Sequence, residues 1–271
     1  MKHFIQSPAK INLMLRILGQ RPDGYHNLQT LFQILDWGDD IEFSEIAGQG
    51  SHQVTIEGFP GLLEQDNLIY RAASKLKPFA QKKTDWHIKV TKRIPQGAGL
   101  GGGSSNAAQT LKFLNRQWDC GLDVSQLSQI GAQLGADVPV FIQGESALAC
   151  GTGERVTTMA FDTSYILLLF PNLSISTAEM FRHKELNRNQ CEVPFKQIHN
   201  SNFWINDFFP LLLKTNQEIR DLYNNFKNHA LFRLSGTGST LFALFQSREA
   251  AERVQKKLQS RVDSKVVKPK I

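Results

Sequence analysis

Cysteine is scarce in this chain: Cys120, Cys150 and Cys191 are the three among 271 residues. An odd number at wide spacing makes neither a metal-ligand pattern nor a disulfide framework, so reduced thiols are expected. Long apolar runs are missing as well, and nothing approaches the length of a membrane span. Lys2, His3 and Lys10 flank only a short apolar stretch with no cleavage-like site, which argues against a secretory signal. The residues ahead of the segment SPAKINL, which begins at Ser7, are expected to be too few for an organelle transit peptide, and the expected location is the cytoplasm. Internal repeats and low-complexity segments are absent too. What is left, 41% hydrophobic and 21% charged residues, is the composition of an ordinary globular protein long enough for two domains.

Charge of one sign is in modest surplus, +6 with a pI near 9.2. Nucleic-acid binding would need that charge clustered, preferably with aromatic platforms. The basic residues are instead spread along the chain, apart from a solvated tail with Arg261, Lys265, Lys268 and Lys270. No nucleic-acid partner is expected. A weak basic surplus is compatible with polyanionic nucleotide ligands.

The most informative stretch is 95–108, PQGAGLGGGSSNAA. Gly97, Gly99, Gly101, Gly102 and Gly103 leave the backbone free to take positive φ and to approach a ligand closely. Free N–H groups opening onto a helix N-terminus form a cradle for phosphate. The helix is legible in Ala107, Leu111, Leu114 and Trp118 at one-face spacing, and an apolar strand near 86–90 precedes the loop. A flexible linker would not sit between such elements with no spare residues. Gly97, Gly99 and Gly102 match the dinucleotide fingerprint, but Lys92, Arg93 and Pro95 separate them from the strand, and Asp119 follows a helix end rather than a second strand. No Gly-Lys-Ser/Thr follows, so the Walker form fails.

Elsewhere, alternation places Ala9, Ile11, Leu13 and Leu15 on one face of an early strand, with Lys10, Asn12, Met14 and Arg16 pointing off the core. Strands are expected over 36–43 and 54–56, broken by Gly48, Gly50 and Gly58. A helix is expected over 67–76 with Asp66 as its cap. Another should span 125–134, with Leu127, Ile130 and Leu134 inward and Gly135 as its stop. The buried strand YILLLF, 165–170, opens a second domain. Helices follow over 208–214, 216–228 and 247–259, with paired strands in 233–245 around a Gly-Thr-Gly turn and a last strand over 262–267. This order is α+β rather than doubly wound.

The loop pattern Pro95, Gly99, Leu100, Gly101, Ser104, Ser105 resembles the ATP loop of the GHMP kinases, the family of galactokinase, homoserine kinase and mevalonate kinase. SPAKINLMLRILGQRPDGYHNLQTLFQ (7–33) resembles that family's first motif and RLSGTGSTLFALF (233–245) its third. GADVPVF (135–141) and the SISTAEMF run ending at Phe181 also fit. The blocks stand in the family's order over nearly the whole chain. Glu145 and Val140 depart from the usual wording without touching the proposed chemistry.

That resemblance implies a ribosomal-protein-S5-like ATP-binding domain, 1–158, and a ferredoxin-like substrate-side domain, 159–271. It implies ATP and Mg²⁺, with Pro95, Gly97, Gly99, Leu100, Gly101, Gly102, Gly103, Ser104, Ser105 and Asn106 around the phosphates and Asn67 and Lys92 beside the nucleotide. A hydroxyl at Ser104 or Ser105 suits phosphate or Mg²⁺, and no acidic metal ligand is identified. Asp137 is the expected acceptor-activating carboxylate, although Asp-x-Pro before a helix is also an ordinary cap. Lys10 is its implied partner, suited to stabilising a developing alkoxide. Carboxylates are weak bases toward alcohols, so Asp137 orients the hydroxyl and takes its proton late.

The wording GAGLGGGSSNAA with its triple Gly101–Gly103, together with the Tyr-His pair of DGYHNL, resembles members that act on a cytidine diphosphate conjugate, phosphorylating the tertiary 2-hydroxyl of its methylerythritol unit in the non-mevalonate isoprenoid pathway. Tyr25, His26 and Phe181 would hold the base, Asn12 and Thr177 would contact substrate, and Gly236 and Gly238 would form a second cradle. Taken alone, Tyr-His after a turn, a core Phe and a hairpin turn are ordinary structure. Two alternatives remain open: a GHMP kinase of homoserine or mevalonate type, and a catalytically silent nucleotide-binding member. A dinucleotide oxidoreductase stands further off. A monomer or a homodimer fits equally.

Overall fold

The computed structural model describes residues 1–47 and 50–270. Gly48, expected as a strand break, lies outside them. The chain runs through β1 (Lys2–Gln20), β2 (His26–Ile46), β3 (Val54–Glu57), α1 (Leu68–Leu76), β4 (Asp85–Thr91) and α2 (Gly102–Gln117). It continues through α3 (Val124–Ala132), α4 (Val138–Gln143), β5 (Ala147–Gly151), β6 (Arg155–Thr158), β7 (Tyr165–Phe170) and α5 (Thr177–Arg182). The remainder is α6 (Phe208–Thr215), α7 (Gln217–Phe226), β8 (Arg233–Leu234), β9 (Leu241–Phe245), α8 (Arg248–Leu258) and β10 (Asp263–Val267). It divides into two compact units, Met1–Ala9 with Trp37–Ile94 and Gly101–Gly144, and Lys10–Asp36 with Pro95–Leu100 and Glu145–Ile271. The fold class is α+β.

In the first unit β2 pairs antiparallel with β4, from Asp40↔Thr91 to Ile46↔Asp85, and β3 pairs parallel with β4. The inward residues Ile41, Phe43, Trp86 and Ile88 are buried, as are Ile69, Ala72 and Leu76 of α1 and Leu111, Phe113 and Leu114 of α2. Phe43 stacks on Phe113 at 3.9 Å between centroids, and Trp86 meets the same ring edge-on at 4.8 Å. Aromatic pairs of this kind add to the stabilisation from burial alone. Two expectations are corrected here. Asn67, not Asp66, caps α1: its side chain accepts from Ile69 N at 3.0 Å, because Asp66 is taken up in a one-turn 3-10 segment, Glu64–Asp66. Gly135 closes α3 without the left-handed conformation of a glycine stop: its N–H bonds back to Gly131 O at 3.1 Å, after Gln133 N on Ile130 O and Leu134 N on Gly131 O, and its own carbonyl accepts from Val138 N to open the turn into α4.

The second unit holds β2–β5–β6, paired antiparallel, and a four-stranded sheet of order β10-β7-β9-β8. Numbering that sheet's strands along the chain gives 4-1-3-2, with helices after the first and third: the split βαβ arrangement of ferredoxin-like domains. Leu167, Leu169, Phe208, Leu212, Ile219, Phe226, Phe232, Leu241 and Leu258 fill its core. Ile166 and Leu168, on the opposite face of β7, are buried as well, so YILLLF reads as a continuous apolar run.

The early strand corrects a third expectation. Lys10, Asn12 and Met14 are as buried as Ile11 and Leu13. Alternation along β1 separates an apolar face from a hydrogen-bonded polar face, and neither is open to solvent. The expected strand at 36–43 is the middle of the much longer β2, and β5, β6 and α5 were not expected at all; β5 is short and built of small residues.

Candidate active site

Between β4 and α2 the glycine loop does what its composition requires. Gly97, Gly99 and Gly101 all have positive φ, 64°, 74° and 72°. At Gly99 a Cβ would fall 2.2 Å from the Ser235 carbonyl oxygen and 2.9 Å from that of Gly238, so only glycine fits. Gly101 stands at the N-cap of α2 in left-handed conformation with no side chain to cap it. Ser105 N already bonds to Gly101 O at 2.8 Å. The N–H groups of Gly102, Gly103 and Ser104 therefore lack intrahelical partners, as the first turn of any helix does.

The first unit surrounds that helix start with charge and hydroxyl. Lys92 Nζ pairs with the fully buried Asp39, whose other oxygen accepts from Arg93 N at 2.7 Å and Ile94 N at 2.9 Å. The ammonium lies 3.3 Å from where a Cβ of Gly102 would be. Ser104 is half-buried beside Gly135, whereas Ser105 is fully buried with its Oγ 2.8 Å from Ser7 Oγ. Ser7 Oγ also lies 2.7 Å from Asn106 Oδ1, so Asn106 is buried too and fastens β1 to α2. Asn67 spends its side-chain oxygen on the α1 cap. Asp137 precedes α4 with helical φ and ψ of −85° and −11° and makes no capping bond, so the ordinary cap reading is not what holds it.

In the second unit the first motif and the two glycine segments meet. Lys10 N donates to Leu100 O at 3.0 Å, and Lys10 Nζ donates to Asn12 Oδ1 at 2.6 Å and Gly99 O at 3.1 Å. The ammonium also faces the Phe32 ring at 5.3 Å. Asn12 Nδ2 donates to Thr30 Oγ1 at 2.8 Å, and that hydroxyl donates to Met14 O at 2.7 Å. Ser235 Oγ donates to Gly99 O at 2.8 Å, and Thr240 N donates to Ala98 O at 3.2 Å. The Ser235–Thr240 segment is thus both the turn from β8 to β9 and the bed of the glycine loop, with Gly236 and Gly238 at φ of 58° and 104°.

Further along the same unit, Tyr25 is exposed after a turn in which its N–H donates to Asp23 Oδ1 at 3.1 Å. His26, the first residue of β2, is buried with its ring 5.0 Å from that of Phe181 and tilted by 35°. Phe181 in turn meets Phe208 edge-on at 4.8 Å. Arg188 Nε donates to His26 Nε2 at 3.1 Å. Burial, and then the Arg188 charge, holds the His26 imidazole below its ordinary pKa. Thr177 opens α5 with its hydroxyl 3.0 Å from that of Thr237. Sequence reasoning passed over Asp39, Thr30, Ser235 and Arg188. A carboxylate inside the strand residues DWGDD was a usable signal for Asp39; nothing local distinguished Arg188.

Profiles described as the GHMP kinases N terminal domain and the GHMP kinases C terminal match residues 67–145 and 186–264. The chain belongs to the GHMP kinase family and is an ATP-dependent small-molecule kinase. It is 43% identical over 250 residues to the 4-diphosphocytidyl-2-C-methyl-D-erythritol kinase of Haemophilus ducreyi, covering 92% of this chain and 88% of the relative. The enzyme of the same name from Acinetobacter baumannii is 44% identical over 88% of this chain and 86% of its own length. A crystal structure of 4-(cytidine 5'-diphospho)-2C-methyl-D-erythritol kinase matches at a TM-score of 0.84 with 29% identity, over 98% of both chains. The Methanococcus jannaschii mevalonate kinase shares the fold at a TM-score of 0.66 with 15% identity, over 100% of this chain and 99% of its own. Membership in this family removes the dinucleotide oxidoreductase reading. No helix among the described residues is long and apolar enough to cross a membrane.

Proposed function

We propose that the chain transfers the γ-phosphoryl group of ATP to the 2-hydroxyl of 4-diphosphocytidyl-2-C-methyl-D-erythritol, a step of the non-mevalonate isoprenoid pathway. The observation that carries this reading is the Lys10 ammonium, buried and held at the Gly99 carbonyl inside the glycine loop. A cation fixed there is suited to the charge that builds on the transferred group and on the acceptor oxygen. The identity shared with relatives named for this substrate supports the choice of acceptor over homoserine or mevalonate.

The ATP phosphates are taken up by the N–H groups of Gly102, Gly103 and Ser104 and by the backbone of the loop from Pro95 to Gly101. Lys92 adds positive charge at the same helix start, with Asn67 beside the nucleotide. Ser105 and Asn106 support this turn from within. A half-buried hydroxyl oxygen is a hard donor of the kind Mg²⁺ accepts, and Ser104 supplies it. Mg²⁺, when bound, neutralises phosphate charge and takes most of its remaining ligands from phosphate and water.

The acceptor oxygen attacks γ-phosphorus while the bond to the β–γ bridging oxygen breaks, and that electron pair leaves with ADP. The hydroxyl proton passes to the Asp137 carboxylate, late in a loose transition state, because a carboxylate is a weak base toward an alcohol. Lys10 stabilises the developing charge, and Asn12 orients both Lys10 and the acceptor. Tyr25, His26 and Phe181 hold the cytosine, Thr177 contacts the substrate, and the Gly236–Gly238 turn receives its phosphates.

We assign the ATP-binding role to 1–158, which also lends Asn12, Tyr25 and His26 to the substrate, and the substrate-side role to 159–271, in a cytoplasmic protein acting as monomer or homodimer without nucleic acid. Incubation with Mg-ATP and the cytidyl substrate, beside homoserine and mevalonate, tests the reading through ADP release. Release with the cytidyl substrate alone, abolished in Asp137→Ala, is expected. Release with a control acceptor refutes the substrate assignment, and ATP binding without release points to the silent member.

A further inference from the structure

We infer that Arg188 is a positioning residue that fixes His26 as an Nδ1–H donor and seats it against Phe181, so that the pair reads an acceptor edge of a pyrimidine. The inference rests on the cytidine-diphosphate reading above and names a residue that reading does not contain.

Arginine donates and never accepts. Its Nε–H therefore meets a lone pair on His26 Nε2, at 3.1 Å. With Nε2 taken as acceptor, the proton of the neutral ring sits on Nδ1. The ring is buried and next to a permanent cation, and both conditions disfavour the imidazolium. Arg188 thus selects the tautomer and guards the neutral state together.

The rest of the guanidinium is spent on the backbone beneath the facing ring. One terminal nitrogen donates to Phe181 O at 2.7 Å and His183 O at 2.9 Å, and the other donates to Leu186 O at 3.2 Å. One planar group therefore ties His26 at the start of β2 to the last turn of α5, where Phe181 stands. The Phe181 ring also meets the Phe208 ring in an edge-on contact at 4.8 Å. The 5.0 Å, 35° arrangement of the two rings follows from a single rigid fork. Lysine, a point donor on a flexible stem, can satisfy His26 or the carbonyls but not both.

A ring flanked by Phe181 and met by a fixed Nδ1–H must offer a flat face and an acceptor at its edge. Cytosine does so through its ring nitrogen and carbonyl. If the proton moves to Nε2, the same ring turns an acceptor toward an acceptor. The recognition contact is then lost without any change at the phosphates.

The test uses the full-length enzyme with ¹⁵N-labelled histidine, and His26→Phe serves to assign the signals. In wild type, proton–nitrogen multiple-bond spectra of the ligand-free protein should show His26 protonated at Nδ1. In Arg188→Met the signal should move to the Nε2–H tautomer. The KM for the cytidyl substrate should rise about 10- to 100-fold, as for loss of a charge-assisted hydrogen bond, with kcat and the ATP KM changed by less than about 2-fold. Arg188→Lys should fall between the two. Should Arg188→Met fail to fold, Arg188→Lys decides: a mixed tautomer with raised KM upholds the inference, and wild-type spectra with wild-type KM overturn it. An Arg188→Met enzyme whose His26 stays Nδ1–H overturns it too. Absence of turnover of the cytidyl substrate by wild type refutes the proposed function instead, and the ligand-free spectra still decide the role of Arg188.

Discussion

Gly99 and Ser235 meet main chain to main chain: a Cβ on Gly99 would lie 2.2 Å from the Ser235 carbonyl oxygen. The Ser235 hydroxyl returns to the Gly99 carbonyl at 2.8 Å, and the Lys10 ammonium reaches the same oxygen at 3.1 Å. One peptide group thus receives the early strand, the glycine loop and the late turn. These segments are far apart along the chain, and they are joined by contacts that tolerate almost no added volume.

Gly99→Ala follows directly. The obstacles are backbone carbonyls rather than flexible side-chain ends, and φ is 74°, where a Cβ is strained even in open space. A destabilisation of about 2–4 kcal/mol is expected from the combined strain and overpacking. Urea unfolding measures it, and calorimetry should find ATP affinity reduced by at least about tenfold, since 1.4 kcal/mol already has that effect. Wild-type stability and affinity in this variant would remove the close approach as an explanation for the loop.

Thr30 governs Lys10 from two hydrogen bonds away. Its hydroxyl donates to Met14 O and so must accept from Asn12 Nδ2, which turns Asn12 Oδ1 toward the ammonium. Thr30→Val keeps the shape, takes the acceptor from the buried Asn12 amide and removes a donor from Met14 O. A stability loss of about 1–3 kcal/mol is expected, with kcat down about tenfold and the ATP KM little changed, while Thr30→Ser restores both. Steady-state kinetics of the two variants check this, and equal kcat in Val and Ser would sink it.

How much of this could be read beforehand varied with the physics involved. The glycine loop was legible because positive φ and helix-start donors demand particular residues in a short window. The strand YILLLF and the later helices were legible because their apolar periodicity is local. Lys10 and Asn12 were placed on the right face of β1, but that face is not solvent. Alternation tells apolar from polar and is silent on whether the polar face is covered by something like Thr30. Ser104 and Ser105 looked equivalent in sequence; packing against Ser7 buries only the second. Arg188 and Asp39 act through partners distant in sequence, and no window contains them together with what they hold.

Lys92→Met separates the charge near α2 from the loop's shape. Lys92 keeps about a quarter of its side chain exposed, and Asp39 is fully buried. Removing the cation leaves a buried carboxylate with backbone donors alone. Loss of one partner of a buried pair costs about 3–5 kcal/mol where both are deeply buried, and the exposure of Lys92 together with those donors places this site nearer 2 kcal/mol. The ATP KM should rise at least about tenfold with the cytidyl-substrate KM unchanged, the pattern of lost nucleotide binding. A rise in the acceptor KM alone would show that Lys92 serves the other substrate.

Asp207 carries a pH prediction of definite sign. Its carboxyl is buried ahead of α6, and burial raises its pKa above the ordinary carboxylate value; the Ile17 N–H and the Arg16 charge oppose this without cancelling it. Folded protein therefore keeps this proton to higher pH than unfolded chain does. Between the unfolded and folded pKa values the native state binds more protons, so stability falls as pH rises through that window and levels off above it. Asp207→Asn retains an oxygen for the Ile17 N–H and buries no charge. The variant should match wild type near about pH 3, where Asp207 is largely protonated in folded and unfolded chain alike, and exceed it by a margin that grows through that window and then stays constant toward about pH 8. Urea midpoints for the two proteins across that range measure the difference, and a gap that narrows with rising pH would mean that Asp207 is stabilised as an anion by the fold around it.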